Sequence, residues 1–318
     1  MSKPTFSLLL TVIIWSTPSL AAYFLKNGVN GVTISFIMQL IALSAAIIVY
    51  FVITFKDKEY TFKKINSRFS GKGYFWLSLA GVAQTIMYIT SYYAVQKGNA
   101  IQATMILDAW PVLFIIITQI FPYNDEKEKE KINPFEYLLI MASLFGVYLI
   151  ILNKGTFNFH INFLIIFMAL SSAFAAAVYS YAYEYSKKYL SKNWKADYKT
   201  HSILFIPRIF SGLIFNLIII LIFKDYDFKY SINNALVLLY MGIFIAFVAH
   251  IFFTYALFTA NNKYITVFMN LAPGITLFLF WIIFNNTIEL QTALGIAIIV
   301  ASILLIKLPK KEKIISED

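Results

Sequence analysis

An all-α integral membrane fold, with ten transmembrane helices in two inverted five-helix repeats and both termini cytoplasmic, is predicted by three observations. The first is composition: 60% of the 318 residues are hydrophobic and 13% charged, too little polar surface to enclose one water-soluble core. The second is a series of apolar runs long enough to cross a hydrocarbon core of about 30 Å, which takes roughly 20 helical residues. The third is a sequence match between the two halves at a constant offset.

Ten runs meet the length requirement, at 6–25, 33–55, 74–96, 99–121, 135–152, 161–183, 202–223, 234–257, 263–284 and 288–307. The first carries Trp15 and Pro18 and no small-residue exit site, so it reads as a retained span rather than a cleaved leader. Net charge is +10. In a soluble chain that points to nucleic acid. Here the lysines cluster in alternate short loops, including Lys56 to Lys72, Lys187 to Lys199 and Lys307 to Lys313. Such loops stay cytoplasmic, which orients the chain in the cell (inner) membrane and removes nucleic acid as a partner.

The stretch from Tyr93-Ala94 to Pro111 has a gapless counterpart from Tyr255-Ala256 to Pro273, 162 residues later. Asn99 meets Asn261, Thr104 meets Thr266, Pro111 meets Pro273, and the acid Asp108 meets the amide Asn270. The chain therefore divides into a first half, 1–154, and a second, 155–318. Five spans per half is an odd number, so the second half enters from the opposite side. The resulting axis in the membrane plane suits alternating access.

Cysteine is absent, which removes disulfides, thiol catalysis and Cys-based zinc sites. His160, His201 and His250 lack metal-ligand spacing, and no cofactor motif is present. A membrane-embedded enzyme would want clustered acids or a nucleophile with its base, whereas the midspan polar residues are scattered. No GxxxxGK[ST] segment supports an ATP-driven pump. The expected partners are a small-molecule substrate, the lipid bilayer and protons. The oligomeric state is left open, a monomer included.

Asp108 is the sharpest single feature. It lies about nine residues, roughly 14 Å by helical rise, into its span. A carboxylate there is costly unless hydrated, paired or protonated, so it reads as a proton-coupling group, as the counter-charge for a cationic substrate group, or as a protonated acid bonding a neighbouring helix. Pro111 and Pro273 remove backbone donors near midspan, either freeing carbonyls for substrate or simply kinking the helices. Thr104 and Asp108 are expected on one face with Pro111 and Trp110 beside it, matched by Thr266 and Asn270 in the ninth span.

The offset of 162 also pairs Tyr88 with His250, and Gln84 lies one turn before Tyr88. His250 reads either as a proton shuttle or as a neutral imidazole bonded to an adjacent helix. Arg208 reads as an anion clamp, or as a side chain that snorkels to the cytoplasmic surface or pairs with Glu184. Tyr179 and Trp15 are candidate pathway aromatics, with core packing as the alternative.

These features resemble the drug/metabolite transporter superfamily, and within it the EamA-like family: ten spans, two five-span halves and a proline in the fourth span of each half. Ala109-Trp110-Pro111 is similar to the Leu-Trp-Pro signature of bacterial aromatic-amino-acid exporters, with Ala109 in place of Leu. Arg208-Ile209 matches in part the Arg-Phe pair frequent in the second span of each half, where the first half has Gln39-Leu40. Glu289 stands where such proteins carry a Glu before the last span; the first half has the charged run Asn124 to Lys131 there. The resemblance implies a secondary or facilitative carrier of a small polar metabolite, an amino acid or related amine, moved outward. Uptake or exchange of a cationic metabolite such as a sulfonium, quaternary amine or polyamine is the second reading.

Overall fold

The computed structural model describes residues 3–67, 69–98, 100–108, 110–122, 134–151, 163–189, 197–229, 231–259, 268–269, 271–284 and 290–305. Among these the chain is helical, without strands; one isolated bridge joins Val29 and Phe228. The Lys3–Leu25 stretch and the helices Gly31–Lys56, Phe163–Tyr185, Tyr198–Phe223 and Ile232–Leu257 are each long and apolar enough to cross a membrane. Each of the other predicted runs also carries helix.

Several expected spans are interrupted. The first consists of α1 (Lys3–Trp15) and α2 (Pro18–Leu25), with proline opening α2. The fourth consists of α6 (Ala100–Leu107) and α7 (Trp110–Ile120). Between the second and third spans, α3 (Gly31–Lys56) is followed by a short α4 (Phe62–Asn66) and then α5 (Gly71–Lys97). The first half ends with α8 (Pro134–Ile151). The second half comprises α9 (Phe163–Tyr185), α10 (Tyr198–Phe223), α11 (Ile232–Tyr240), α12 (Ala249–Thr259), α13 (Leu271–Phe284) and α14 (Leu290–Leu305). A π-helical stretch, Met241–Val248, joins α11 to α12 and ends two residues before His250.

Local chemistry starts the long helices. Asn30, Ser70, Asp197 and Ser231 each accept a hydrogen bond from the backbone N–H three residues on, which satisfies one of the orphan donors of the first turn. The apolar bulk then faces outward: Phe55 is 91% exposed, and Ile48, Phe51, Phe163, Leu221 and Leu290 are exposed with it. Those faces suit lipid as solvent.

Inside, small residues let the helices approach closely. α9 lays Ala169, Ser172, Ala173, Ala176, Ala177 and Ser180 along its buried side and packs against α5. Where α5 crosses α10, a methyl group on Gly81 would overlap the Arg208 carbonyl, and one on Gly212 would lie 2.7 Å from the Gly81 carbonyl. α8 and α14 approach through Gly146 and Gly295. The pairings recur half a chain later: α5 packs on α9 and crosses α10, while the π-helix and α12 pack on α1 and cross α3.

Candidate functional site

A cavity of about 560 Å³, its open mouth included, lies where the broken helices meet. α1 and α2 bring Trp15 and Pro18, α5 brings Met87, Tyr88, Ser91 and Tyr92, and α6 ends there with Leu107. Asp108 follows, and α7 begins with Trp110. α9 contributes Ala176, Tyr179 and Ser180, and Ile245 and His250 complete the wall. Trp15 and Met87 also pack against both of the molecule's hydrophobic clusters, so the cavity lies between the two cores.

His250 is the centre of the polar wall. It is wholly buried, yet both ring nitrogens have partners. Nε2 stands 2.5 Å from the Tyr88 hydroxyl and 2.8 Å from Gln84 Nε2, and Nδ1 stands 2.8 Å from the Tyr179 hydroxyl. Gln84 donates to the Tyr88 hydroxyl at 2.8 Å, across one helical turn. The indole of Trp15 meets the imidazole edge-on at 4.7 Å and donates to the Ile245 carbonyl at 3.4 Å. The π-helical turn before His250 is an element frequent at functional sites.

Arg208 lies behind this wall. Its guanidinium is fully buried among Phe205, Tyr179 and Tyr183, at 4.4, 5.2 and 5.2 Å from the ring centroids, and donates to the Tyr179 hydroxyl at 2.6 Å. This corrects the expectation that it snorkels to the surface: α10 crosses α5 at Gly81 and Gly212, and that close approach keeps the side chain inside the bundle. It does not line the cavity.

Asp108 follows the last residue of α6, its backbone N–H bonded to the Thr104 carbonyl at 2.9 Å. The side chain is partly open to the cavity while Oδ2 is buried without a partner. Of the expected common face of Thr104, Asp108 and Pro111, Asp108 lines the cavity and the other two do not. Thr104 turns instead to Ser19 on α2, with a 2.5 Å hydroxyl contact. Pro111 falls in the first turn of α7, where its missing N–H would have been unpaired anyway. Pro273 falls likewise in the first turn of α13. Thr266 and Asn270 lie outside the described residues.

Sequence reasoning passed over Tyr92 and Ser91. Tyr92 shares the face of Gln84 and Tyr88 at helical spacing, stacks on Tyr88 with centroids 5.8 Å apart, and reaches Met38 Sδ at 3.4 Å. That periodicity was a usable signal. The contribution of Ser180 and Ile245 had none. Among the described residues no group of three or more His, Asp or Glu side chains is placed to hold a metal ion.

Interrupted helices thus meet around a partly polar cavity in a lipid-facing bundle, and the class of protein, a multi-pass membrane transporter of small solutes, follows from the family match. The model of the EamA-like transporter family matches twice, over residues 3–152 and 162–308, and the chain belongs to that family, part of the drug/metabolite transporter superfamily. A solved structure described only as "Crystal structure of protein" is 14% identical and superposes with a TM-score of 0.69, covering 95% of this chain and 96% of that chain. At that identity the likeness shows a shared fold. No curated protein matches this chain.

Proposed function

We propose that this protein is a secondary-active or facilitative carrier that exports a small polar metabolite, an amino acid or related amine, by alternating access. The observation that carries the reading is the buried, unpartnered Oδ2 of Asp108 at a cavity also walled by hydroxyl, imidazole and indole groups. A site of mostly apolar lining with a few convergent polar groups suits a small molecule having both kinds of surface. Ten spans in halves 1–154 and 155–318, opposite in topology and with both termini cytoplasmic in the inner membrane, belong to the same reading. The lysine-rich loops support it, as does the direct hydrogen bond between Tyr88 and His250, 162 residues apart. Residues equivalent under a two-fold axis touch only where that axis passes, which is where inverted-repeat carriers hold substrate.

The test is uptake of labelled amino acids and amines into liposomes, with and without a pH gradient, by wild type and Asp108→Asn. Saturable uptake is expected, with loss of pH-driven accumulation but retained exchange in the variant. Absence of uptake of every compound by folded protein would sink the substrate assignment. Asp108 also favours a second reading, transport of a cationic metabolite such as a sulfonium, quaternary amine or polyamine. That reading requires Asp108→Asn to lose affinity for cations alone.

A further inference from the structure

The third spans of the two halves begin in step, and the step then changes by one. Ser70 caps α5, and Ser231, 161 residues later, caps α11. Each span next crosses a neighbour at a glycine, Gly81 against Arg208 of α10 and Gly242 against Met38 and Ile41 of α3, again 161 residues apart. The neighbours agree as well. Ile41 and Arg208 stand 167 residues apart, as do Asn30 and Asp197, the caps of α3 and α10.

Beyond the glycines the interval is 162. Thr11 on α1 donates to the Ala249 carbonyl at 3.2 Å, and Ser172 on α9, 161 residues after Thr11, donates to the Met87 carbonyl at 2.9 Å. The two acceptors are 162 residues apart, as are Tyr88 and His250. The second half therefore holds one residue more than the first between Gly242 and Ala249, which is where the π-helical stretch Met241–Val248 runs.

Geometry explains why the helix widens there. Gly81 to Tyr88 is seven residues, or about two α-helical turns, whereas Gly242 to His250 is eight. An α-helix would turn the eighth residue about 100° further and carry His250 away from Tyr88. A π turn, bonded i to i+5, takes up the surplus and restores the facing. The Ala249 N–H accordingly reaches back to the Phe244 carbonyl, and the Ile245 carbonyl that it passes over accepts from the Trp15 indole at 3.4 Å.

We propose that this π stretch is the hinge of the transport cycle, about which α12 and His250 swing against α11 while the unbroken α5 moves as a rod. This rests on the alternating-access reading above. α11 lies against α3, and α12 against α1 and α9, so the stretch separates two parts with different neighbours. Through Tyr88 and Tyr179, His250 joins α12 to the cavity walls on α5 and α9, and its swing parts them. The spare residue lets backbone N–H groups change between carbonyls four and five residues back, a freedom that an uninterrupted α-helix lacks.

The chain has no cysteine, so Ser180→Cys places a single reporter in the cavity wall. A membrane-impermeant maleimide is applied to either face of sealed proteoliposomes holding this protein, with Phe244 present or deleted. Phe244 is 46% exposed, so deleting it takes out the surplus residue without opening a hole in the core. That deletion is expected to keep the melting temperature within a few degrees, because the register becomes that of α5. Deletion of Ile86 from α5 has no surplus to remove and is expected to prevent folding or to lower the melting temperature far more. With Phe244 present the reporter reacts from both faces; without it, reaction from one face falls about tenfold or more as one state is locked. Reaction from one face only with Phe244 present would overturn alternating access, and the hinge with it. Reaction from both faces after the deletion would overturn the hinge alone. A loss of fold as severe as that from deleting Ile86 would overturn the extra residue on which the hinge is built.

Discussion

At the scale of single residues, charge is handled differently at the rim and in the centre. Asp57 closes α3, accepts from Lys199 at 3.0 Å and from the Glu59 N–H, and both bonds hold its carboxyl below the usual carboxylate range. Lys199 also lies 4.8 Å over the ring of Tyr60, whose hydroxyl donates to Asp197 at 2.5 Å. A carboxyl lowered on folding contributes stability above its unfolded value of about 3.9, and loses it only as pH falls through the lower folded value. Lys199→Met is therefore expected to leave the melting temperature nearly unchanged at pH 7, since exposed pairs contribute little. What small loss it causes is full above about pH 4 and disappears at lower pH, where Asp57 is protonated with or without the lysine. A loss of similar size at pH 7 and at about pH 2 would show that the lysine acts through packing instead. In the centre, Arg208 has three aromatic faces and one phenol for company. Its position in a span was legible in the sequence; its inward direction was not, because a long side chain near a helix end reaches either way.

At the scale of elements, the breaks and crossings carry the site. Pro18 and Pro111 each stand in the first turn of the second segment of a broken span. A proline inside an apolar run marks an interruption that sequence can show, but it leaves open whether the helix bends or stops. The glycines at crossings are less readable, since a glycine in a span looks the same whether it faces lipid or another backbone. Gly81 and Gly71 separate the two cases within α5. A Cβ at Gly71 meets nothing, whereas one at Gly81 meets the Arg208 carbonyl and the Ser211 hydroxyl. Gly71→Ala is expected to stabilise the protein by about 0.5 kcal/mol through the unfolded chain and helix propensity. Gly81→Val is expected to cost about 3 kcal/mol or to prevent folding, and to displace Arg208 with it. Thermal unfolding in detergent measures both, and equal effects would refute the close crossing.

At the scale of the whole molecule, orientation is the property most open to direct test. The chain contains no cysteine, so a single introduced one reports its own side. Cysteines at Lys58 and Lys188 are expected to react with a membrane-impermeant maleimide only after the cells are opened, and one at Lys229 in intact cells. The reverse pattern would overturn the proposed orientation, with both termini cytoplasmic. The loops themselves are tied across the chain. Near Lys229, Asn30 donates to Asp225 at 2.5 Å and the Lys229 N–H to the Gly28 carbonyl at 2.7 Å. Near Lys58, Lys199 meets Asp57.

By itself the sequence determined that this protein lives in a membrane as a helical bundle of the EamA-like kind, because apolar length and loop charge are additive along the chain and need no contacts to be read. It also marked Asp108, Gln84, Tyr88 and His250, since a polar group in an apolar run stands out. Only the tertiary structure decided that Tyr88, Tyr179 and Gln84 close around His250, that Thr104 turns away to Ser19, and that Arg208 stands behind the wall rather than at the surface. Those choices depend on how far apart and at what angle helices cross, which small residues such as Gly81 and Gly212 set through pairs of backbones that no single stretch of chain contains.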